Sequence, residues 1–230
     1  MKTYNTIFFD LDRTIWDFDT NSKNTLQELI ENNGLSAVFG SFEEFYNIYK
    51  KVNDSLWAKY RDGKIEKEIL SWKRFYDTFL KFGLDDIEIA KIFGLGYVSL
   101  SPTKTKLFPH SHEVLEYLEN KYTLYIITNG FSEVQYEKIK NCRLGGYFSD
   151  IFTSEEIGVK KPDAKIFNHA VEISKTKRKN CLMIGDDLNV DIIGARRAGI
   201  DQVFFNFDKI VHTEKVTFEI SSLIQLKEIL

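Results

Sequence analysis

The sequence predicts an α/β protein in which a doubly wound parallel sheet carries an inserted α-helical domain. Apolar runs typical of buried strands alternate with helical stripes from residue 102 onward, which favours parallel strands linked by helices. One more such run, at residues 4–10, lies near the N-terminus, and a lone strand should join that sheet. The intervening pattern is helical. We therefore expect a core domain of residues 1–15 and 102–230, and a helical domain of residues 16–101.

Four helices are expected in the insertion. The first three carry apolar stripes and end near glycines at positions 34, 63 and 83. The fourth begins near Asp86 and is weaker, because Gly94 and Gly96 interrupt it. Such stripes indicate the core of a helical bundle rather than a cofactor site. The three stripes are Leu26, Leu29 and Ile30, then Phe45, Tyr49, Val52 and Leu56, and finally Ile69, Trp72, Tyr76 and Phe79.

The elements of the core domain follow from the same periodicities. Pro102 and Pro109 bracket a connector, after which strands and helices alternate. Strands are expected at 123–128, 151–153, 181–184, 202–206 and 217–220. Helices are expected around 114–118, after Phe131, over 164–174 and 190–198, and at the end of the chain.

Composition excludes several classes of function. The net charge of −3 over 230 residues gives no general attraction to nucleic acid or to anionic membranes. There is no 18-residue apolar run, so no transmembrane helix is expected, and no signal peptide is expected because Met1–Asn5 leads directly into the predicted first strand. Cys142 and Cys181 lack metal-ligand spacing and are expected to be reduced thiols. We therefore expect a cytoplasmic protein.

Two carboxylates, Asp10 and Asp12, follow the first strand. Because strand side chains alternate between faces, both start out on the same side. Carboxylates at one strand end repel each other unless a cation lies between them, and hard oxygen ligands suit Mg²⁺. Ligands of open α/β sheets bind beyond the carboxyl ends of the strands. The alternative is an acidic, solvated turn.

Two later segments could bind a phosphoryl group. Thr128, Asn129 and Gly130 end a strand and precede a helix, where a hydroxyl and free N–H groups can hold phosphate oxygens. A simple Asn-Gly turn is the alternative. Lys161, next to Pro162 and just before a helix, could neutralise developing phosphoryl charge. The alternative for this residue is a solvated surface lysine.

A second acidic cluster, Asp186, Asp187 and Asp191, follows the strand at 181–184. Helical spacing after the strand can bring Asp191 back toward the pocket while Asp186 faces a metal. An acidic helix cap is the alternative. A cap explains one or two of these aspartates, but not three of them together with Asp10 and Asp12.

These four segments, in this order, resemble the four motifs of the haloacid dehalogenase (HAD) superfamily. The resemblance spans essentially the whole core, and the helical insertion directly after the first motif is similar to the small helical cap of that family. The stretch Asp10–Asn21, with Trp-Asp-Phe-Asp after the motif, also resembles the pyrimidine 5′-nucleotidases of the superfamily. One departure is Arg13, where many relatives have glycine.

The resemblance implies a role for each motif residue. Asp10 would be the nucleophile, and Asp12 would be general acid and then general base, with its backbone carbonyl on Mg²⁺. Asp10 and Asp186 would complete the Mg²⁺ ligands, and Lys161 would stabilise the transferring charge. The remaining residues would hold the phosphoryl group (Thr128, with Asn129 and Gly130) or support the metal and orient the lysine (Asp187 and Asp191).

The resulting hypothesis is a Mg²⁺-dependent phosphomonoesterase that hydrolyses small phosphate esters, chiefly pyrimidine nucleoside monophosphates. The protein is expected to be a monomer or a small homo-oligomer. A sugar phosphomutase or another small-metabolite phosphatase is the main alternative. A dehalogenase is less compatible with Asp12, since that reaction needs no acid there. A non-catalytic phosphate-binding or signalling protein is the alternative from another class. Candidate substrate contacts outside the motifs are Arg74, Lys64 and Trp16, each with a structural or solvated alternative.

Overall fold

A computed structural model describes residues 4–230, so the expectation for Met1–Asn5 lies partly outside the described residues. The chain divides into two compact units. One comprises the residues up to Phe18 together with Thr105–Leu230, and the other comprises Asp19–Lys104. Within the described part of the chain, no helix combines the length and the apolar character needed to cross a membrane.

The first unit is built on a six-stranded sheet in the order β3-β2-β1-β4-β5-β6, and every neighbouring pair is parallel. This confirms the predicted α/β fold with a parallel sheet. The N-terminal strand β1 lies in the middle, between β2 and β4. The strands are β1 Thr6–Phe9, β2 Thr123–Thr128, β3 Asp150–Thr153, β4 Cys181–Gly185, β5 Asp201–Phe205 and β6 Phe218–Ile220.

Both faces of the sheet are buried, as the continuous apolar runs require. Ile7 and Phe9 point into one hydrophobic cluster, whereas Phe8 points into another on the opposite face. The surrounding helices are α6 Ser111–Glu119, α7 Ser132–Asn141, α8 Ser154–Ile157, α9 Ala164–Ile173, α10 Ile193–Arg197 and α11 Leu226–Ile229. The helix expected at 190–198 begins instead with a turn of π-helix, Leu188–Ile192, before α10.

The second unit is helical. Its helices are α1 Phe18–Asn32, α2 Ser36–Phe39, α3 Phe42–Arg61, α4 Lys67–Phe79 and α5 Ile87–Leu100. Ser41 caps α3 by accepting a hydrogen bond from the backbone N–H of Glu44, at 3.4 Å. Aromatic side chains dominate its core, with Tyr49 and Phe75 stacked at 5.5 Å between ring centroids.

Two details of this unit differ from the sequence-based expectation. The stripe expected on α4 is confirmed at Phe79 but wrong at Ile69, which is 38% exposed, and the buried face carries Leu70 and Phe75 together with Phe79. This helix has apolar residues on more than one face, so periodicity alone does not select the buried one. Helix α5 is also continuous through its glycines. A Cβ on Gly94 would lie 2.7 Å from the backbone oxygen of Ser71, so the glycine permits close packing of α4 and α5.

Replacing Gly94 tests this packing. In Gly94→Ala the helices must separate, which should cost about 1–3 kcal/mol and outweigh the gain in helix propensity of about 0.5–1 kcal/mol. Gly96→Ala is the matched control on the same helix, because its Cβ meets only the flexible end of Leu29. We expect urea unfolding to show a destabilised Gly94→Ala and a neutral or stabilised Gly96→Ala. Equal stability of the two variants would contradict the packing role.

Candidate active site

The candidate site lies where three neighbouring strands of the first unit end. In the register of the sheet, Phe9 is the partner of Ile126 on β2 and of Ile184 on β4. The three strands β1, β2 and β4 therefore end at the same edge of the sheet. The chain leaves this edge at Asp10, just after Thr128, and at Asp186. This is the edge at which parallel α/β sheets bind ligands.

A buried lysine lies between two buried aspartates. The Lys161 ammonium is 2.6 Å from Oδ1 of Asp10 and 2.7 Å from Oδ1 of Asp191, and it donates to the backbone oxygen of Ile127 at 2.7 Å. Burial alone lowers the pKa of Lys161, but the two carboxylates outweigh burial and raise it above the usual lysine value. The ammonium is therefore charged and held in a fixed position.

Three carboxylates meet beside this lysine. Oxygens of Asp10, Asp186 and Asp191 all lie within 4.8 Å of one another. Burial raises the pKa of Asp10 to about 7 despite the adjacent Lys161. Burial and the charges of Asp10 and Asp191 raise the pKa of Asp186 well above its usual value. A divalent cation would offset this repulsion, so the donor set of hard oxygens fits Mg²⁺.

The close approach of Asp191 depends on a glycine. A Cβ on Gly185 would lie 2.4 Å from Oδ2 of Asp191, so any side chain at this last residue of β4 would displace the carboxylate. The π-helical turn closes with the N–H of Ile192 donating to the backbone oxygen of Asp187. Asp187 caps the same turn, accepting from the N–H groups of Asn189 and Val190 at 2.9 and 3.0 Å. The carboxylate of Asp187 thus caps this turn, as the helix-cap alternative predicted.

Arg13, the departure from the motif noted in the sequence, adopts a left-handed backbone, with φ of 64°. For a non-glycine residue this conformation costs about 1–2 kcal/mol. The side chain makes compensating contacts: Nε is 3.1 Å from Oδ2 of Asp186, and a terminal nitrogen is 2.5 Å from Oδ2 of Asp208. The guanidinium therefore contacts an aspartate of the carboxylate cluster.

The side chain of Asp12 is not one of the three clustered carboxylates. Its Oδ1 lies 2.5 Å from the ammonium of Lys138, and its Oδ2 accepts a hydrogen bond from Nε2 of Gln135 at 2.9 Å. Neither partner was found from the sequence. A lysine and a glutamine three residues apart on a helix are usually solvated, and only the tertiary structure shows that these two are buried.

Three consecutive residues at the end of β2, Thr128, Asn129 and Gly130, make different contacts. Thr128 Oγ1 accepts from the N–H of Gly130 at 3.1 Å and from Gln135 at 2.6 Å. Asn129 instead clamps the backbone of Lys161: its Oδ1 accepts from the Lys161 N–H at 2.8 Å, and its Nδ2 donates to the Lys161 oxygen at 2.9 Å. Sequence reasoning placed Asn129 near the phosphoryl group and missed this clamp. A Cβ on Gly130 would lie 2.2 Å from Nε2 of Gln135, so the glycine makes room for that amide.

The three candidates outside the motifs have structural environments. Trp16 is fully buried, and its ring lies 3.9 Å from the ammonium of Lys138. Lys64 is exposed and pairs with Asp62 at 2.7 Å. Arg74 is buried in the helical unit, with its guanidinium over aromatic rings and one hydrogen bond to Asn53.

Comparisons with known proteins show the family and the fold of the chain. The family model of the haloacid dehalogenase-like hydrolases matches residues 4–199. The chain is 30% identical to YfnB of Bacillus subtilis (strain 168), a protein named as a HAD hydrolase, over 100% of this chain and 97% of that one. The crystal structure of YfnB, bound to magnesium, aligns with a TM-score of 0.91 over 99% of each chain.

Two further relatives carry the name pyrimidine 5′-nucleotidase. YjjG of Escherichia coli (strain K12) is 30% identical over 97% of this chain and 96% of its own length. PynA of Streptococcus pneumoniae (strain ATCC BAA-255 / R6) is 30% identical over 88% of this chain and 84% of its own. A glyceraldehyde 3-phosphate phosphatase of Methanothermobacter thermautotrophicus is 26% identical over 97% and 98%.

The carboxylate cluster predicts that Mg²⁺ raises the thermal stability of the protein. A ligand at 100 times its Kd adds about 2.7 kcal/mol to the free energy of unfolding. Asp186→Asn keeps the shape of the side chain but removes a charge from the cluster, so most of the Mg²⁺-dependent rise in melting temperature should be lost. Scanning calorimetry with Mg²⁺ or EDTA measures this, and Asp54→Asn, at an exposed site, should retain the full rise. An undiminished rise in Asp186→Asn would exclude Asp186 as a ligand.

Proposed function

Because the chain belongs to the haloacid dehalogenase-like hydrolases and has phosphatases among its relatives, we propose that it hydrolyses phosphate monoesters through a phosphorylated Asp10. The preferred substrates in this proposal are pyrimidine nucleoside 5′-monophosphates. The observation that carries the proposal is the buried Asp10, held at 2.6 Å by Lys161 within a cluster of three carboxylates. The proposed nucleophile thus lies beside a buried lysine and the candidate metal ligands.

In the first step, a carboxylate oxygen of Asp10 attacks phosphorus while the bond from phosphorus to the ester oxygen breaks. The electron pair of that bond stays with the leaving oxygen, which takes a proton from Asp12 and departs as the alcohol. Lys161 contacts Oδ1 of Asp10, and the hydroxyl of Thr14 lies 3.4 Å from Oδ2, so both oxygens are oriented. Oriented groups of this kind supply much of the rate enhancement in phosphoryl transfer.

In the second step, water attacks the phosphorus of the aspartyl-phosphate. Asp12, now ionised, accepts a proton from that water, and the bond to Asp10 breaks to regenerate the carboxylate and release inorganic phosphate. Thr128 and the backbone around Gly130 are the proposed contacts of the phosphoryl oxygens, and the Lys161 ammonium balances their charge. Asn129 contributes indirectly in this scheme, because it fixes the backbone of Lys161.

Mg²⁺ is the proposed cofactor. The residues that would hold it are Asp10, Asp186 and the backbone carbonyl of Asp12, with Asp191 next to them in the cluster. When bound, Mg²⁺ would neutralise charge on the phosphoryl oxygens and on the carboxylates. In this proposal Asp187 supports the site through the turn that it caps and through its N–H, which donates to Oδ2 of Asp191 at 3.2 Å.

The substrate assignment rests on the relatives named pyrimidine 5′-nucleotidases. The relative named glyceraldehyde 3-phosphate phosphatase favours a second candidate, a phosphatase of small phosphorylated metabolites. Both candidates use the same site chemistry, and they differ only in the alcohol that leaves. The choice between them is therefore a matter of specificity rather than of mechanism.

A substrate panel tests the proposal. We expect Mg²⁺-dependent phosphate release, with kcat/KM higher for uridine and thymidine 5′-monophosphates than for purine nucleotides, glyceraldehyde 3-phosphate or sugar phosphates. Asp10→Asn should abolish turnover with every ester, because a neutral amide of the same shape is a poor nucleophile. Higher kcat/KM for a purine nucleotide would overturn the pyrimidine assignment, and higher kcat/KM for glyceraldehyde 3-phosphate would select the second candidate. Activity of a folded Asp10→Asn variant would overturn the mechanism.

A further inference from the structure

Helix α7 carries two buried polar side chains on its inward face, one turn apart. Gln135 is completely buried, and Lys138 is 4% exposed. A helix normally places apolar residues on such a face, and burying an ammonium group is costly unless the charge is paired. The two residues therefore have a specific reason to be there, and their contacts show what it is.

Lys138 makes one ion pair and one aromatic contact. Its ammonium is 2.5 Å from Oδ1 of Asp12 and lies over the ring of Trp16, 3.9 Å from the centroid. The turn after β1 brings these two partners together, because the N–H of Trp16 donates to the backbone oxygen of Leu11 at 2.9 Å. The buried indole ring thus makes a cation–π contact with the ammonium, and the ammonium contacts the carboxylate of Asp12.

Gln135 holds the other oxygen of the same carboxylate. Its Nε2 donates to Oδ2 of Asp12 at 2.9 Å and to Oγ1 of Thr128 at 2.6 Å. The amide can approach this closely because Gly130 has no side chain in its path. Both oxygens of Asp12 consequently have donors on one helix, and α7 determines the direction in which this carboxylate points.

We propose that Lys138 is a positioning residue for the reaction, which holds the Asp12 carboxylate in the orientation needed for proton transfer. The proposal rests on the acid and base role of Asp12 proposed above. Lys138 anchors Oδ1 from one side, while Oδ2 keeps a second lone pair beyond its bond to Gln135. That lone pair is the position for the proton that passes to the leaving oxygen and is later taken from water.

The physical reason is that proton transfer depends on position more than binding does. The Asp12 side chain is 27% exposed, so without Lys138 it can turn toward solvent. A misplacement of about 1 Å can cost about 100-fold in rate. General acid help matters most for a strongly basic leaving group such as a nucleoside alkoxide, and least for nitrophenolate. Loss of Lys138 should therefore slow the two kinds of ester unequally.

The experiment measures the pre-steady-state rate of Asp10 phosphorylation with uridine 5′-monophosphate and with p-nitrophenyl phosphate. Lys138→Met removes the charge, Lys138→Arg retains a cation, and Asp12→Asn reports the full effect of losing the acid. Lys140→Met is the matched control on the same helix, where the side chain is 74% exposed and pairs only loosely with Glu137. Circular dichroism and melting temperature establish that each variant is folded.

We expect Lys138→Met to slow phosphorylation by the nucleotide at least about 10-fold, a part of the 10²–10⁴-fold typical of general acids. Its effect with nitrophenyl phosphate should be several-fold smaller. Lys138→Arg should bring the ratio of the two phosphorylation rates part of the way back to the wild-type value, and Lys140→Met should have the wild-type ratio. In an Asp12→Asn background, adding Lys138→Met should leave the ratio of the two rates unchanged, because Lys138 acts through Asp12.

Equal slowing of both esters by Lys138→Met, with the ratio still sensitive to Asp12→Asn, would overturn the positioning role and leave the acid role of Asp12 intact. If Asp12→Asn itself slows both esters equally, the acid role fails and the inference about Lys138 falls with it. If Lys138→Met does not fold, Lys138→Arg decides. A folded Lys138→Arg that slows the nucleotide more than nitrophenyl phosphate supports the positioning role, and one that leaves the ratio of the two rates at the wild-type value overturns it.

Discussion

The structure depends on one buried ammonium group, that of Lys161, held between Asp10 and Asp191. Breaking a buried ion pair by removing one partner typically costs about 3–5 kcal/mol, because the remaining charge is left uncompensated. Here Lys161 contacts two of three clustered carboxylates and Arg13 contacts the third, so three negative charges face two positive ones before any ligand binds. The electrostatics of the site favour a divalent cation, and in the proposed mechanism the same lysine balances the charge of a phosphoryl group.

The backbone and the groups that contact it hold this arrangement in place. The register of the parallel sheet ends β1, β2 and β4 at one edge, which brings the motif residues within reach of one another. Two glycines, Gly130 and Gly185, leave space that the amide of Gln135 and the carboxylate of Asp191 occupy. Asn129 then holds the backbone of Lys161 from both sides. The charged groups are thus oriented before a substrate arrives, a property expected of sites that stabilise developing charge.

Sequence reasoning succeeded where short-range rules govern the structure. The alternation of strands with helices predicted the parallel sheet, and the binding of ligands at the carboxyl ends of strands placed Asp10 and Asp186 at its edge. It failed where burial depends on distant packing. Lys138 has the sequence context of a solvated helix residue but is buried. Gly94 was expected to interrupt its helix, although it permits two helices to pack closely. Helix α4 buries Leu70 rather than Ile69. No periodicity within one helix contains that information.

The central claim, that Asp10 becomes phosphorylated, can be tested by trapping the intermediate. The wild-type protein would be mixed with Mg²⁺ and uridine 5′-monophosphate carrying radiolabelled phosphate, quenched in acid within milliseconds, and digested for peptide mapping. The account predicts close to one labelled phosphoryl group per molecule at early times when dephosphorylation is the slower step, or a smaller but detectable fraction otherwise, located on Asp10. Label on another residue, or turnover that proceeds with no label on the protein at any time, would contradict it.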